Sequence, residues 1–140
     1  MILLNGKLFG LYSLENAVYF GARQYIHIGE SVFYSVKPDW AKKVKIFDGF
    51  PDGVADFDRS AVTVLTAFGA MRMLSEEGRE AFFDTAVKFL PPDSTAVFDC
   101  PVSVPYKSVE RLMSRHGFLI YETQPISDGL VAYLAVRKCL

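Results

Sequence analysis

The sequence predicts an α/β fold with a mostly parallel sheet that ends in an antiparallel strand. From residue 61 onward, short apolar and β-branched segments alternate with helical patterns, which is the order of parallel strands joined by crossover helices. The last two β-prone segments, 118–123 and 130–136, are joined by a connection too short for a crossover helix. We therefore expect these two strands to be antiparallel.

The first half of the chain gives shorter signals. Residues 30–36 fit either a strand or a helix, because they are β-branched and aromatic but follow a predicted strand. Pro38 suits the first turn of a short helix. The other predicted elements are, in order, a hairpin turn at Asn5-Gly6, a helix over 14–24 capped by Ser13, strands over 25–28 and 44–47, and a surface loop over 50–60.

The second half is patterned more regularly. Residues 61–68 are almost continuously apolar, as in a strand that is buried on both faces. Ser75 is placed to cap a helix with a buried stripe of Ala81, Phe82, Ala86, Val87, Phe89 and Leu90. A strand over 95–98 follows, then a helix that begins near Pro105, turns Val109, Leu112 and Met113 inward, and ends at a capping Gly117.

Composition and charge narrow the class of protein. The 140 residues are 51% hydrophobic and 22% charged, which suits one packed core, so we expect a single domain over 1–140. The net charge is -1 without a basic cluster, which disfavours a nucleic-acid ligand. No apolar run reaches membrane-spanning length and the start of the chain has no signal pattern, so we expect a cytoplasmic protein.

Two compositional details bear on assembly and habitat. The aromatic content of 14% is high for a small monomer, so we expect a homodimer, formed through a sheet edge or through residues 32–34. The chain has two Asn and two Gln. Such a low content of thermolabile amide side chains is typical of proteins from thermophiles. In such a protein a Cys100–Cys139 disulfide is an alternative to two buried thiols.

Several stretches of the second half resemble class I S-adenosylmethionine (SAM)-dependent methyltransferases. That family's acidic, Pro-containing loop and fourth strand resemble IFDGFPDGVADFDRSAVTVLTAFGAMRML. Its next helix, Pro-rich turn and fifth strand resemble AFFDTAVKFLPPDSTAVFD, and its last helix and strand pair resemble RLMSRHGFLIYET and LVAYLAVRK. The resemblance covers about residues 45–138 and implies a Rossmann-like three-layer fold.

The family's glycine-rich cofactor loop has no full counterpart. In the family these glycines let the backbone approach the methionine and ribose parts of the cofactor. The corresponding place here is IHIGES, where Gly29 is the lone glycine, and a single glycine more often marks a turn at the end of a strand than a cofactor loop. Only one strand, 44–47, fits between this loop and residue 61. The resemblance is therefore to a truncated or degenerate member.

The resemblance implies a cofactor site made of Gly29, Glu30, Asp48, Phe68 and Gly69. Asp48 ends a predicted strand 19 residues after Gly29, where a carboxylate accepts hydrogen bonds from ribose hydroxyls, although an Asp-Gly turn explains it as well. Phe68 and Gly69 end the longest buried strand at the ligand crevice. The Phe68 ring suits stacking on an adenine or a substrate ring, although core packing is the more common role of a single Phe.

Other chemically capable side chains have structural explanations. Cys100 precedes a proline and has no identifiable base partner, so we interpret it as a buried thiol. His27 lies within a strand, and His116 precedes the helix-ending Gly117, where a cation complements the helix dipole. The acids after Asp48 lack the calcium-loop pattern, so no metal is expected. No catalytic residue is assigned.

Two functions follow from these observations. The first is a small methyltransferase-like protein that binds SAM or a related nucleoside, and the alternative is a catalytically inactive relative that acts as a dimerisation or scaffold partner. A fold alone does not decide between them, because function depends on the site.

Overall fold

The computed structural model describes residues 3–4, 7–8, 22–29, 44–126 and 129–138. Near the start of the chain, β1 (Leu3–Leu4) pairs antiparallel with β2 (Lys7–Leu8). The two strands flank Asn5-Gly6, which confirms the predicted hairpin pairing. Among the described residues, no helix has the length and apolar character needed to span a membrane.

Six strands of the described chain form one sheet. They are β3 (Gln24–Gly29), β4 (Lys45–Asp48), β5 (Thr63–Phe68), β6 (Thr95–Pro101), β7 (Phe118–Ile126) and β8 (Leu130–Arg137). Their order across the sheet is β4, β3, β5, β6, β8, β7. The first four run parallel, and β8 is antiparallel to both β6 and β7. The predicted mostly parallel sheet with an antiparallel C-terminal strand is confirmed.

Helix α1 (Glu76–Ala86) begins at the predicted cap. The Ser75 hydroxyl accepts a hydrogen bond from the Gly78 N–H at 3.1 Å, and two glutamates lie in the first turn, near the positive end of the helix dipole. The predicted buried stripe is partly wrong. Ala81 is exposed, Phe83 is fully buried, and the helix ends before Phe89 and Leu90, which pack into the core from the segment that follows it.

Helix α2 (Tyr106–Arg115) agrees with its prediction. Val109, Leu112 and Met113 are its buried residues, and Gly117 follows the helix with a φ of +79°, the left-handed conformation that a glycine adopts without a Cβ clash. Both helices cover the same face of the sheet, because Phe83 and Met113 share a core cluster with Phe98 of β6.

The opposite face of the sheet holds a second apolar cluster. Because neighbouring strand residues point to opposite faces, each central strand serves both layers, and all six residues of β5 are buried. The second cluster contains Tyr25, Val64, Phe68, Val97 and Ala132.

The segment between β4 and β5, residues 49–62, contains neither a helix nor a strand. This confirms the predicted loop over 50–60. The predicted lack of a strand and a helix between Gly29 and residue 61 also concerns residues 30–43, which lie outside the described residues. The loop is not wholly on the surface, however. Phe57 is 9% exposed, and its ring packs edge-on against Phe47 and Phe89 at centroid distances of 5.1 and 5.6 Å. The aromatic side chains bury this loop more than its Asp, Gly and Pro content predicts.

Gln24 corrects the end of the predicted helix over 14–24. It begins β3, and its side-chain amide donates to the Asp58 carbonyl at 2.8 Å and to Thr63 Oγ1 at 3.0 Å. These bonds satisfy a polar side chain that is 4% exposed. The rest of that helix, the segment 30–36, Pro38 and the proposed dimer segment 32–34 lie outside the described residues.

Arg137 fastens the end of β8 to the turn between α1 and β6. Its guanidinium donates to the carbonyl oxygens of Val87 at 2.6 Å and Leu90 at 2.5 Å. Its main chain pairs with Ser94 and Asp93 at 2.8 and 2.9 Å. These bonds supply donors to carbonyl groups at the end of a helix, where no intrahelical donor is available.

Candidate functional site

The carboxyl ends of β3 and β5 meet where the order of the sheet reverses. After β3 the chain forms β4 on one side and then β5 on the other, so this is the topological switch point at which open α/β sheets bind ligands. Gly29 lies opposite Phe68 in the parallel register. It has a φ of +80°, and a Cβ there would collide with the Phe68 carbonyl oxygen. The close approach of two strands therefore requires a glycine, with or without a ligand.

Asp48 presents a carboxylate at the carboxyl end of β4. The side chain is 89% exposed, and Oδ1 lies 3.2 Å from His27 Nε2, because the register of β3 and β4 places these residues side by side. Gly49 has a φ of +85° and donates its N–H to the His27 carbonyl at 2.9 Å. The Asp-Gly turn is thus present, and it leaves most of the carboxylate facing solvent.

His27 contacts a candidate site residue, Asp48, which its position within a strand did not predict. Its side chain is 17% exposed, and its Nδ1 is buried without a hydrogen-bond partner among the described residues. Nε2 faces the carboxylate of Asp48, so the imidazole orients one oxygen of that group. The pairing depends on strand register, which the sequence pattern does not give.

The end of β5 is held by a buried carboxylate. Asp99 of β6 is 2% exposed, and its Oδ1 accepts the Gly69 N–H at 2.9 Å. Asp99 is not among the residues predicted for the site, although a charged residue inside the apolar segment TAVFDCP is a signal for it. Asp99 thus fixes the backbone just beyond Phe68, at the carboxyl end of β5.

The Phe68 ring lies in the core rather than in the crevice. The residue is 2% exposed and packs in the cluster on the face opposite the helices. In this arrangement it has no free ring face on which an adenine could stack, and it reaches the crevice through its main chain. The structure therefore brings Gly29, Asp48, Phe68 and Gly69 to the ends of three adjacent strands, and Glu30 lies outside the described residues.

The two remaining titratable candidates have the structural roles that the sequence predicts. Cys100 is a free, fully buried thiol, and burial raises its pKa from 9.0 to about 12, so little of the nucleophilic thiolate is present. His116 joins the two helices, because Nδ1 lies 2.8 Å from the Leu112 carbonyl and Nε2 lies 2.8 Å from Asp84 Oδ1.

No protein-family model and no curated protein sequence matches the chain. Solved structures match it in fold. One is magnesium protoporphyrin IX methyltransferase from Synechocystis PCC 6803 with bound SAH, at 9% identity and a TM-score of 0.60 over 91% of this chain and 82% of that one. Another is a TehB-like SAM-dependent methyltransferase from Corynebacterium glutamicum, at 15% identity and a TM-score of 0.58 over 96% and 90%.

Human N-acetylserotonin methyltransferase in complex with SAM matches as well. It has 12% identity and a TM-score of 0.54, and the match covers 97% of this chain but 46% of the human chain. The chain likewise spans 55% of the length of a second matching protein, so it covers about half of these two relatives. At such identities the likeness shows the fold, which is that of the class I SAM-dependent methyltransferases.

Proposed function

We propose that this chain binds the nucleoside part of SAM, or of a related molecule, in the crevice formed by Gly29, Asp48 and Gly69. The supporting observation is the exposed Asp48 carboxylate beside the switch point. In folds of this kind, an acidic residue at that place accepts hydrogen bonds from ribose hydroxyls. Two of the matching methyltransferases hold SAM or SAH, which supports the same ligand class.

His27 has a positioning role in this proposal. Its Nε2 lies 3.2 Å from Asp48 Oδ1, so it fixes the orientation of the carboxylate before a ligand arrives. Such pre-organisation reduces the entropy that binding would otherwise cost. The second oxygen and the remaining lone pairs of Asp48 stay available for two hydroxyl donors.

The amino-acid end of SAM has weaker support. The space next to the Gly29 Cα is filled by the Phe68 carbonyl, and IHIGES contains no second glycine to bring the backbone closer. We therefore expect weak binding, in which SAM, S-adenosylhomocysteine and adenosine have similar affinities. The sugar and the base carry most of the binding free energy in this arrangement.

Calorimetric titration with these three compounds tests the proposal. Hydrogen bonds to a charged group contribute about 1.5–3 kcal/mol, so Asp48→Ala should weaken binding by about 10- to 100-fold. Asp56→Ala is the matched control, because it removes an exposed carboxylate from the loop after β4 and should leave the affinity unchanged.

Two results would contradict this account. No heat with any of the three compounds up to about 10 mM would rule out the nucleoside site. Tight SAM binding together with much weaker adenosine binding would show that the amino-acid end is recognised after all.

A catalytically inactive dimerisation or scaffold partner is the second candidate, and the edge strand β7 favours it. Leu119 and Tyr121 are 51% and 59% exposed, and within the described chain β7 pairs with a strand only on the side of β8. An edge of this kind is suited to pairing with a second copy. Light scattering should then give the dimer mass at micromolar concentration and the monomer mass for Leu119→Glu. A monomeric unsubstituted chain would exclude the homodimer.

A further inference from the structure

A cavity of about 230 Å³ lies between α1 and α2, beyond the carboxyl end of β6. Its apolar floor is formed by Cys100, Val109 and Leu112, which are 0%, 1% and 6% exposed. None of the crevice residues Gly29, Asp48, Phe68 or Gly69 lines it. This α1–α2 cavity is therefore separate from the proposed nucleoside site and needs its own chemical interpretation.

Most of the charges around the cavity are already compensated or lie in solvent. Glu80 of α1 forms an ion pair with Arg115 of α2, which neutralises both at the cavity wall. Glu76 is exposed in the first turn of α1, where water screens it. The remaining charge is that of Arg79, which also lines the cavity.

The Arg79 guanidinium is held by one hydrogen bond, which leaves its other N–H groups available to a ligand. Its Nε donates to the Met71 carbonyl at 3.1 Å, which fixes the plane of the group. Its two terminal nitrogens make no hydrogen bond or ion pair with any described residue. A guanidinium with an oriented, unused pair of N–H groups matches the two oxygens of a carboxylate.

Two hydroxyl groups complete the polar part of the lining. Ser103 and Ser108 border the cavity, and neither hydroxyl has a hydrogen-bond partner in the described part of the chain. Each provides one donor. The cavity thus combines one guanidinium group and two hydroxyl donors with an apolar floor. Its volume lies below the usual range of drug-sized ligand pockets.

From this lining we infer that the α1–α2 cavity is a second binding site, for a small organic carboxylate of about ten non-hydrogen atoms. The carboxylate pairs with Arg79 and with the serine hydroxyls, and a short aliphatic or aromatic group lies on Val109 and Leu112. The inference does not depend on the proposed nucleoside site, because the two share no residue.

Titration of the ¹⁵N-labelled chain with benzoate tests the inference by nuclear magnetic resonance. Benzoate should shift the amide signals of residues that line the cavity, with a dissociation constant of about 1 mM or below. Benzamide has the same shape without the charge and should bind at least about 10-fold more weakly, because the charge-assisted bonds contribute about 1.5–3 kcal/mol. The Asp48→Ala chain should bind benzoate with unchanged affinity.

Two substitutions locate the site. Arg79→Gln should weaken benzoate binding by about 10-fold or more, whereas Arg111→Gln, on the exposed side of α2 and outside the lining, should leave it unchanged. Ser108→Ala removes a hydroxyl that supports no contact of the described fold, so it should keep the chain folded and weaken binding by about 3- to 10-fold. The inference would be overturned by the absence of shifts up to about 10 mM benzoate. It would also be overturned if Arg79→Gln and Ser108→Ala both bound benzoate as tightly as the unsubstituted chain.

Discussion

Two strands of the parallel sheet that flank β3 differ sharply in burial. In β5, at the centre, every residue is buried, whereas in β4, at the edge, Lys45 and Asp48 are exposed and the two residues between them are half-buried. The carboxylate that we propose for nucleoside binding thus belongs to the least buried strand of the parallel set. Under this proposal stability and ligand binding depend on different strands, and substitutions should separate the two.

The largest effect on the free energy of unfolding is expected in the core between the helices and the sheet. Phe83 is fully buried, and its ring contacts Phe82, Phe98 and Phe118 at centroid distances of 5.1, 5.3 and 6.1 Å. Phe83→Ala should lower the free energy of unfolding by about 3–5 kcal/mol, because it removes a large apolar side chain and leaves a cavity. Urea unfolding followed by circular dichroism measures this. A loss below about 1 kcal/mol would mean that the core cluster that Phe83 shares with Leu65 and Ala67 of β5 contributes little to stability.

An intermediate effect on the free energy of unfolding is expected when the pH is raised into the alkaline range. Burial raises the pKa of the Cys100 thiol from 9.0 to about 12, so above about pH 9 the unfolded chain releases a proton that the folded chain retains. The free energy of unfolding should therefore fall between about pH 9 and pH 12, by at most about 1.4 kcal/mol per pH unit for this group.

Comparison with Cys100→Ala isolates the thiol from other alkaline groups. The difference between the two pH profiles, measured by urea unfolding, should be constant below about pH 9 and change above it. Asp48→Ala should give a profile parallel to that of the unsubstituted chain, since it leaves the Cys100 thiol and its surroundings unchanged. A constant difference for Cys100→Ala up to pH 11 would contradict the raised pKa.

The smallest effect on stability is expected at the edge. Asp48 is 89% exposed, and its Oδ1 lies 3.2 Å from His27 Nε2, so Asp48→Ala should change the free energy of unfolding by less than about 0.5 kcal/mol. The same chain should lose most of its nucleoside affinity. A loss of several kcal/mol would show that Asp48 serves the fold, and the separation between the two strands would no longer hold.

Strands and helix ends in the second half of the chain were largely predictable because their signals are local, although the predicted buried stripe of α1 is partly wrong. Ser75, Pro105 and Gly117 mark helix ends through their own backbone and side-chain chemistry, and residues 61–68 are apolar enough to identify a strand buried on both faces. These features do not depend on distant parts of the chain.

The errors and omissions involve contacts between distant residues. Gln24 begins a strand because Asp58 and Thr63 accept its amide, and Phe57 is buried by rings from β4 and from the segment after α1. The Asp48 position was predicted from the end of a strand, but its pairing with His27 needs the register of two strands. The burial of the Phe68 ring likewise depends on which face of the sheet it occupies.

The position of β8 between β6 and β7 has a consequence for synthesis of the protein. The ribosome makes β6 first, yet the neighbour that covers its open edge, β8, is complete only after residue 137 has been added. At about 5–20 residues per second, residues 102–137 take about 2–7 s to make. Until β8 has been made and pairs with it, β6 has one edge of unpaired backbone groups, and such an edge is a template for pairing with another chain. The last strand of the sequence thus protects a strand made well before it.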